Sequence, residues 1–121
     1  MLNREEVKQK IKEYIHKNNH VSYAELQWYM EQIGYDYRGD YTILSPKCDH
    51  VIFWVGWSED AIQIMNELNA EGSIHKEPTQ VLTYFIDGAT LTMPIVKTAR
   101  AYKTDHWLPV VFCRGPEEAL N

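Results

Sequence analysis

The sequence predicts an α+β fold: three helices packed on a small, mainly antiparallel sheet. Three observations carry that reading. Three amphipathic stretches open on capping residues, two alternating runs flank an Asp-Gly pair, and short apolar runs at 41–55 and 107–113 are bounded by turn-forming residues. With 121 residues and 45% hydrophobic content, one core is affordable and two ordinary domains are not, so 1–121 is read as a single domain.

Helix one follows Asn3, which stands three positions before Glu6 in a capping-box pattern. Val7, Ile11, Tyr14 and Ile15 recur at helical spacing, and the helix ends near Asn18-Asn19. Ser22 and Glu25 repeat the signal for helix two, about Tyr23 to Ile33, with a stripe of Tyr23, Leu26, Met30 and Ile33 that stops at Gly34. Trp28 falls on the far side of that helix, beside Glu25, Glu31 and Gln32. Ser58 caps helix three, Gly72 closes it, and Ala61, Ile64, Met65 and Leu68 form its inner face. Its outer arc holds Glu59, Asp60, Gln63, Asn66, Glu67 and Glu71 and no Lys or Arg.

Between helices two and three, Tyr41–Leu44 and Val51–Val55 read as an inserted β-hairpin joined by a loop at 45–50. The second run is apolar on both faces, which places it inside a sheet or against two layers. Residues 80–95 read as a second hairpin: Gln80–Ile86, an Asp87-Gly88 type I′ turn, and Ala89–Ile95, with Ile86 opposite Ala89, Tyr84 opposite Leu91 and Leu82 opposite Met93. Thr98 to Thr104 is a basic connector. Trp107–Cys113 is a C-terminal strand in which Pro109, unable to donate to a ladder, argues for an edge, and an apolar edge invites a second copy. Residues 115–121 read as a frayed tail.

The formal charge is −5, unevenly placed: +2 over residues 1–20, −8 over 21–96 and +3 over 97–104. An acidic middle repels phosphate and favours basic partners. No apolar run approaches the roughly 20 residues of a spanning helix, and Met1–Glu6 is a polar helix opening without the apolar stretch of a signal peptide, so a cytoplasmic location is expected. Cys48 and Cys113 are then unpaired thiols.

The order helix, helix, helix, strand, two-residue wing, strand resembles a winged helix-turn-helix domain over residues 3–96, with helix three as recognition helix and Asp87-Gly88 as wing tip. The combination Gly72, Pro78, Tyr84, Asp87-Gly88, Pro94-Ile95 and Trp107-Leu108-Pro109-Val110 is also similar to uncharacterised small proteins of bacterial mobile elements. The winged-helix pattern breaks in two places. Some 24 residues link helices two and three where a helix-turn-helix has a short turn, and the recognition arc is acidic where DNA demands Lys or Arg.

Known chemistries find little footing. Cys48-x-His50 with His75 or His106 lacks metal-site spacing, and Cys48 or Cys113 with a His has no orienting third group. Glu59-Asp60 suits helix capping and Glu117-Glu118 a solvated tail. No glycine motif cradles a phosphate, and Tyr35, Tyr37 and Tyr41 alternate with Asp36 and Asp40, which opposes nucleic-acid stacking. The expected function is a non-enzymatic protein-interaction or regulatory module, without cofactor, metal or catalytic residues. Its contact surface is Trp28 with Glu59, Asp60, Gln63, Asn66, Glu67 and Glu71; a basic protein or a second copy, through the last strand, is the expected partner. The alternative is a DNA-binding regulator using Lys8, Lys12, Lys97, Arg100 and Lys103 as phosphate contacts.

Overall fold

The computed structural model describes residues 2–98 and 100–116. The helices expected at the N-terminal side form where their caps place them. Helix α1 (Arg4–Asn18) starts at Asn3, whose side chain accepts from Glu6 N–H while the Glu6 carboxylate reaches back to Asn3 N–H, a complete capping box. Helix α2 (Tyr23–Gln32) starts at Ser22 and α3 (Glu59–Ala70) at Ser58, each hydroxyl accepting from the N–H three residues on. Most of each stripe is buried, including Val7, Ile11, Ile15, Leu26, Met30, Ile64 and Leu68, while Tyr14 and Ile33 are half-buried at its border.

Two three-stranded sheets complete the α+β architecture. In one, β2 (Arg38–Ser45) and β3 (Cys48–Trp57) form the expected inserted hairpin, longer and with a tighter connection than its apolar runs suggest, and β5 (His106–Trp107) joins β3 in parallel. Gly39 serves a close approach in this hairpin. A Cβ there would lie 2.5 Å from Ser58 Cα and 2.8 Å from the Trp57 carbonyl, so β2 passes the start of α3 only because that position has no side chain. In the other sheet, β1 (Val21–Ser22), β6 (Val110–Arg114) and β4 (Ile74–Pro78) lie in the order β1-β6-β4, antiparallel throughout.

Residues 80–95 are not a hairpin, and the described residues form four helices rather than three. Val81–Asp87 is a fourth helix, α4, and 89–94 run without regular structure to a single bridge between Ile95 and Trp107. The signal taken for a turn closes this helix instead. Gly88 has φ +89°, and its N–H and that of Ala89 both bond the Tyr84 carbonyl, at 2.9 and 3.2 Å. A type I′ turn and a left-handed helix cap demand the same glycine. No strand pair stands at Asp87-Gly88, the place assigned to a wing tip.

The last strand also differs from expectation. The run 107–113 breaks at Leu108-Pro109, with β5 in one sheet and β6 in the middle of the other. Pro109 marks the crossover, its carbonyl accepting from Thr79 N–H at 2.9 Å. Both edges of β6 are taken, by β1 and β4, so it offers no free edge to a second copy. Of the tail, residues 117–121 lie outside the described ones.

An aromatic cluster fills the space between the sheets. Tyr23 of α2 stacks on Trp54 with ring centres 6.1 Å apart and meets Trp57 and Phe112 edge-on at 5.2 and 4.9 Å. Tyr84, the one buried residue of α4, lies 5.1 Å from Trp54 and 4.9 Å from Trp107. Its hydroxyl donates to the Val110 carbonyl at 2.5 Å and accepts from Tyr23 N–H at 3.2 Å. The Tyr84 hydroxyl is thus paired inside the core, as burial requires. Tyr84→Phe keeps the ring and strands a buried carbonyl and a buried N–H. The expected cost is about 1–3 kcal/mol, seen as a lower urea midpoint with an unchanged slope.

Candidate interaction surface

The acidic arc of α3 is partly neutralised from within the molecule. Helix α1 packs beside α3. Arg4 donates to Glu67 Oε1 at 3.1 Å and makes a second, shorter bond to Glu67 Oε2; Lys8 reaches Glu67 at 3.3 Å and also pairs closely with Glu71. Both pairs are half-exposed and join two helices, so they orient α1 against α3 more than they stabilise it. Glu59, Asp60, Gln63 and Asn66 remain open to solvent, with Gln63 donating to Glu59 at 3.4 Å.

These pairings also engage one of the lysines read as a phosphate contact. Lys8 is committed to Glu67 and Glu71, and Lys12 lines a small cleft with Glu5, Gln9 and Glu71. Lys97, Arg100 and Lys103 belong to the connector that feeds β5, attached to the other sheet. There the Tyr102 hydroxyl donates to the Thr98 carbonyl at 3.0 Å and accepts from the N–H groups of Thr98 and Lys97, both at 3.1 Å. The two backbone N–H groups donated to the oxygen, that of Thr98 foremost, bring its phenol down to about 8. Arg100 lies 4.7 Å over the Tyr102 ring, and the His106 ring meets it at 4.1 Å, tilted by 36°. Arg100 thus lies against the tyrosine of its own segment, to which Lys97 contributes its backbone N–H.

Neither Cys48 nor His50 approaches His75 or His106 as a ligand set. Cys48 Sγ donates to the Tyr102 carbonyl at 3.8 Å, His50 pairs with Asp105 at 3.0 Å, and His106 Nδ1 faces the Thr104 carbonyl at 2.7 Å. Among the described residues, the His/Cys/Asp/Glu grouping with converging ligand atoms is His20, Glu77 and Cys113. No helix among them is long and apolar enough to cross a membrane.

The apolar surface is where exposure is least expected. Trp28 of α2 is 54% exposed, as its position opposite the buried stripe implies, and no later segment among the described residues covers it. Helix α4 adds Leu82, Phe85 and Ile86 at 60, 64 and 76% exposure. They stand at i, i+3 and i+4, one face of the helix. Assignment to a hairpin hid them: alternation puts Leu82 and Ile86 on the inner face with Tyr84, whereas only Tyr84 goes in. Their helical spacing is legible in the sequence and was the available signal.

Helix α4 is short and lacks a side-chain N-cap bond. Its position comes from tertiary contacts: Tyr84 in the aromatic cluster at one side, and Asp87 accepting from the buried Ser22 hydroxyl at 2.6 Å. Ser22 is the N-cap of α2, so the Asp87 carboxylate sits at the positive end of that helix dipole. The outward face of α4 is thereby presented on a fixed support.

The Arg4 guanidinium holds the Glu67 carboxyl below the ordinary carboxylate range. A carboxyl lowered on folding stabilises the protein above its unfolded value and loses that contribution as pH falls through its folded value. Glu67→Gln is therefore expected to lower the melting temperature near neutral pH and to converge with the wild type in strong acid. Melts across a pH series at low salt check this, and added salt should narrow the gap. Compared with protein-family models, curated proteins and solved structures, the chain matches none.

Proposed function

We propose that the chain is a non-enzymatic protein-interaction module that docks through the outward face of α4, with Trp28 as a second apolar anchor. One observation carries the reading. A helix of seven residues turns a single residue, Tyr84, into the core and leaves Leu82, Phe85 and Ile86 in water. Contiguous large apolar side chains on a supported helix are the usual make-up of a contact surface, where aromatic anchors dominate binding. The acidic arc of α3 contributes less in this reading than its composition suggests, because Glu67 and Glu71 already answer to Arg4 and Lys8.

The partner presents an apolar groove or face to α4. The test is affinity capture from the cells that encode the protein, comparing wild type with a Phe85→Asp/Ile86→Asp double variant whose fold is checked by circular dichroism. Loss of two exposed anchors should weaken the specific partner at least tenfold. Sedimentation over a concentration range tells whether that partner is a second copy. A double variant that keeps every partner and the same sedimentation behaviour as wild type would overturn the proposal.

A further inference from the structure

The β1-β6-β4 order brings together three residues that the sequence holds far apart. Cys113 lies on the central strand, directly across from His75 on β4, and Val21 pairs with Phe112, which sets His20 next to Cys113 on the other side. Glu77 shares the strand face of His75, two residues on. The ligand atoms of His20, Glu77 and Cys113 all lie within 4.8 Å of one another, with the sulfur buried and the other two residues exposed above it.

The surrounding contacts hold this arrangement. Asn19 and His20 have φ +54° and +52°, consecutive left-handed positions in residues that seldom adopt them. Asn19 is pinned there, its N–H donating to the Ile15 carbonyl at 2.8 Å and its Oδ1 accepting from Arg114 N–H at 2.8 Å. The turn out of α1 thus delivers the His20 ring to the edge of Cys113. His75 Nε2 contacts Glu77 Oε2 at 2.8 Å while its Nδ1 faces the Gly115 carbonyl at 3.0 Å, so Glu77 is oriented from behind.

We infer that His20, Glu77 and Cys113 form a binding site for a thiophilic divalent cation of the zinc type, with a solvent molecule as fourth ligand. One imidazole nitrogen, one carboxylate oxygen and one thiolate suit that ion. Bonds of about 2.0–2.3 Å in a tetrahedron bring ligand atoms to roughly 3.5 Å apart, a closure of about 1 Å that side-chain rotation supplies. His75 is a positioning residue that steadies the carboxylate. A site with a sulfur ligand and only one carboxylate disfavours magnesium and calcium, which want several oxygens. Burial keeps the Cys113 thiol protonated, its pKa pushed up to about 11. Binding breaks the S–H bond and forms the S–metal bond; one proton leaves to solvent, and no oxidation occurs. The site ties β1, β6 and β4 together and is independent of the α4 surface.

The test uses the full chain, tag removed and stripped with a chelator. Titration with Co²⁺ should give a thiolate-to-cobalt charge-transfer band and intense tetrahedral d–d bands, both abolished by excess Zn²⁺ and unaffected by Mg²⁺. Calorimetry should show Zn²⁺ binding at least tenfold weaker in His20→Asn, which tolerates a left-handed backbone, and in Glu77→Gln; both sites are exposed, and melting curves confirm that the variants fold. Cys113→Ser should lose the charge-transfer band. If that variant does not fold, the wild-type band and the His20→Asn affinity decide. Absence of the band in wild type, equal Zn²⁺ affinity in His20→Asn, or Mg²⁺ binding as tight as Zn²⁺ would overturn the inference.

Discussion

The structure depends on one shared acceptor at the border of its aromatic core, the half-buried Gln27. Gln27 Oε1 accepts from the indole N–H groups of both Trp54 and Trp57, at 2.7 and 3.0 Å. Trp57 is fully buried and Trp54 nearly so, so neither indole can fall back on water. The third deeply buried indole, Trp107, donates to the Phe53 carbonyl at 3.1 Å. Among the described residues, no buried side-chain nitrogen or oxygen lacks a partner. Without Gln27, two donors would be stranded between the sheets, each at a cost of about 1–3 kcal/mol. The side chain comes from α2 and the indoles from β3, so this acceptor also sets how the helix lies on the strand.

Where sequence and structure agree, the signal is local and chemical. Asn3, Ser22 and Ser58 satisfy N–H groups one turn away, and no distant part of the chain can change that geometry. The apolar run Val51–Trp54 is buried, as a strand greasy on both faces must be. Agreement ends where two templates fit the same residues. In seven residues, Leu82, Tyr84 and Ile86 satisfy a period of two while Leu82, Phe85 and Ile86 satisfy a helical one. Gly88 serves both, and the Tyr84 pocket made by Trp54, Trp107 and Tyr23 decided the outcome. Pro109 was correctly read as unfit for a ladder interior, yet it separates two strands in different sheets and does not mark an edge.

Function was less legible for the same reason. Trp28 stood out because helix periodicity alone turns it outward, and it is exposed. The acidic arc stood out on α3 because its counter-charges sit on another helix; composition sees Glu67 and Glu71 but not the packing that sets Arg4 and Lys8 against them. His20, Glu77 and Cys113 were separated in the chain, and only the strand order β1-β6-β4 makes neighbours of them. Meeting places made by topology leave no spacing to find.

That same strand order governs when the molecule can assemble. Strands β1 and β4 never touch; each is completed by β6, and the bond from Arg114 N–H to Asn19 Oδ1 spans 95 residues of sequence. Trp107, part of the aromatic cluster, also arrives late. During synthesis the helices can form as they emerge, but neither sheet is complete until residues 106–114 have cleared the ribosome. Tyr23, Trp54 and Trp57 wait with their apolar faces uncovered. Completion of both sheets is thereby deferred until residues 106–114 have emerged, and until then these apolar faces are open to wrong contacts.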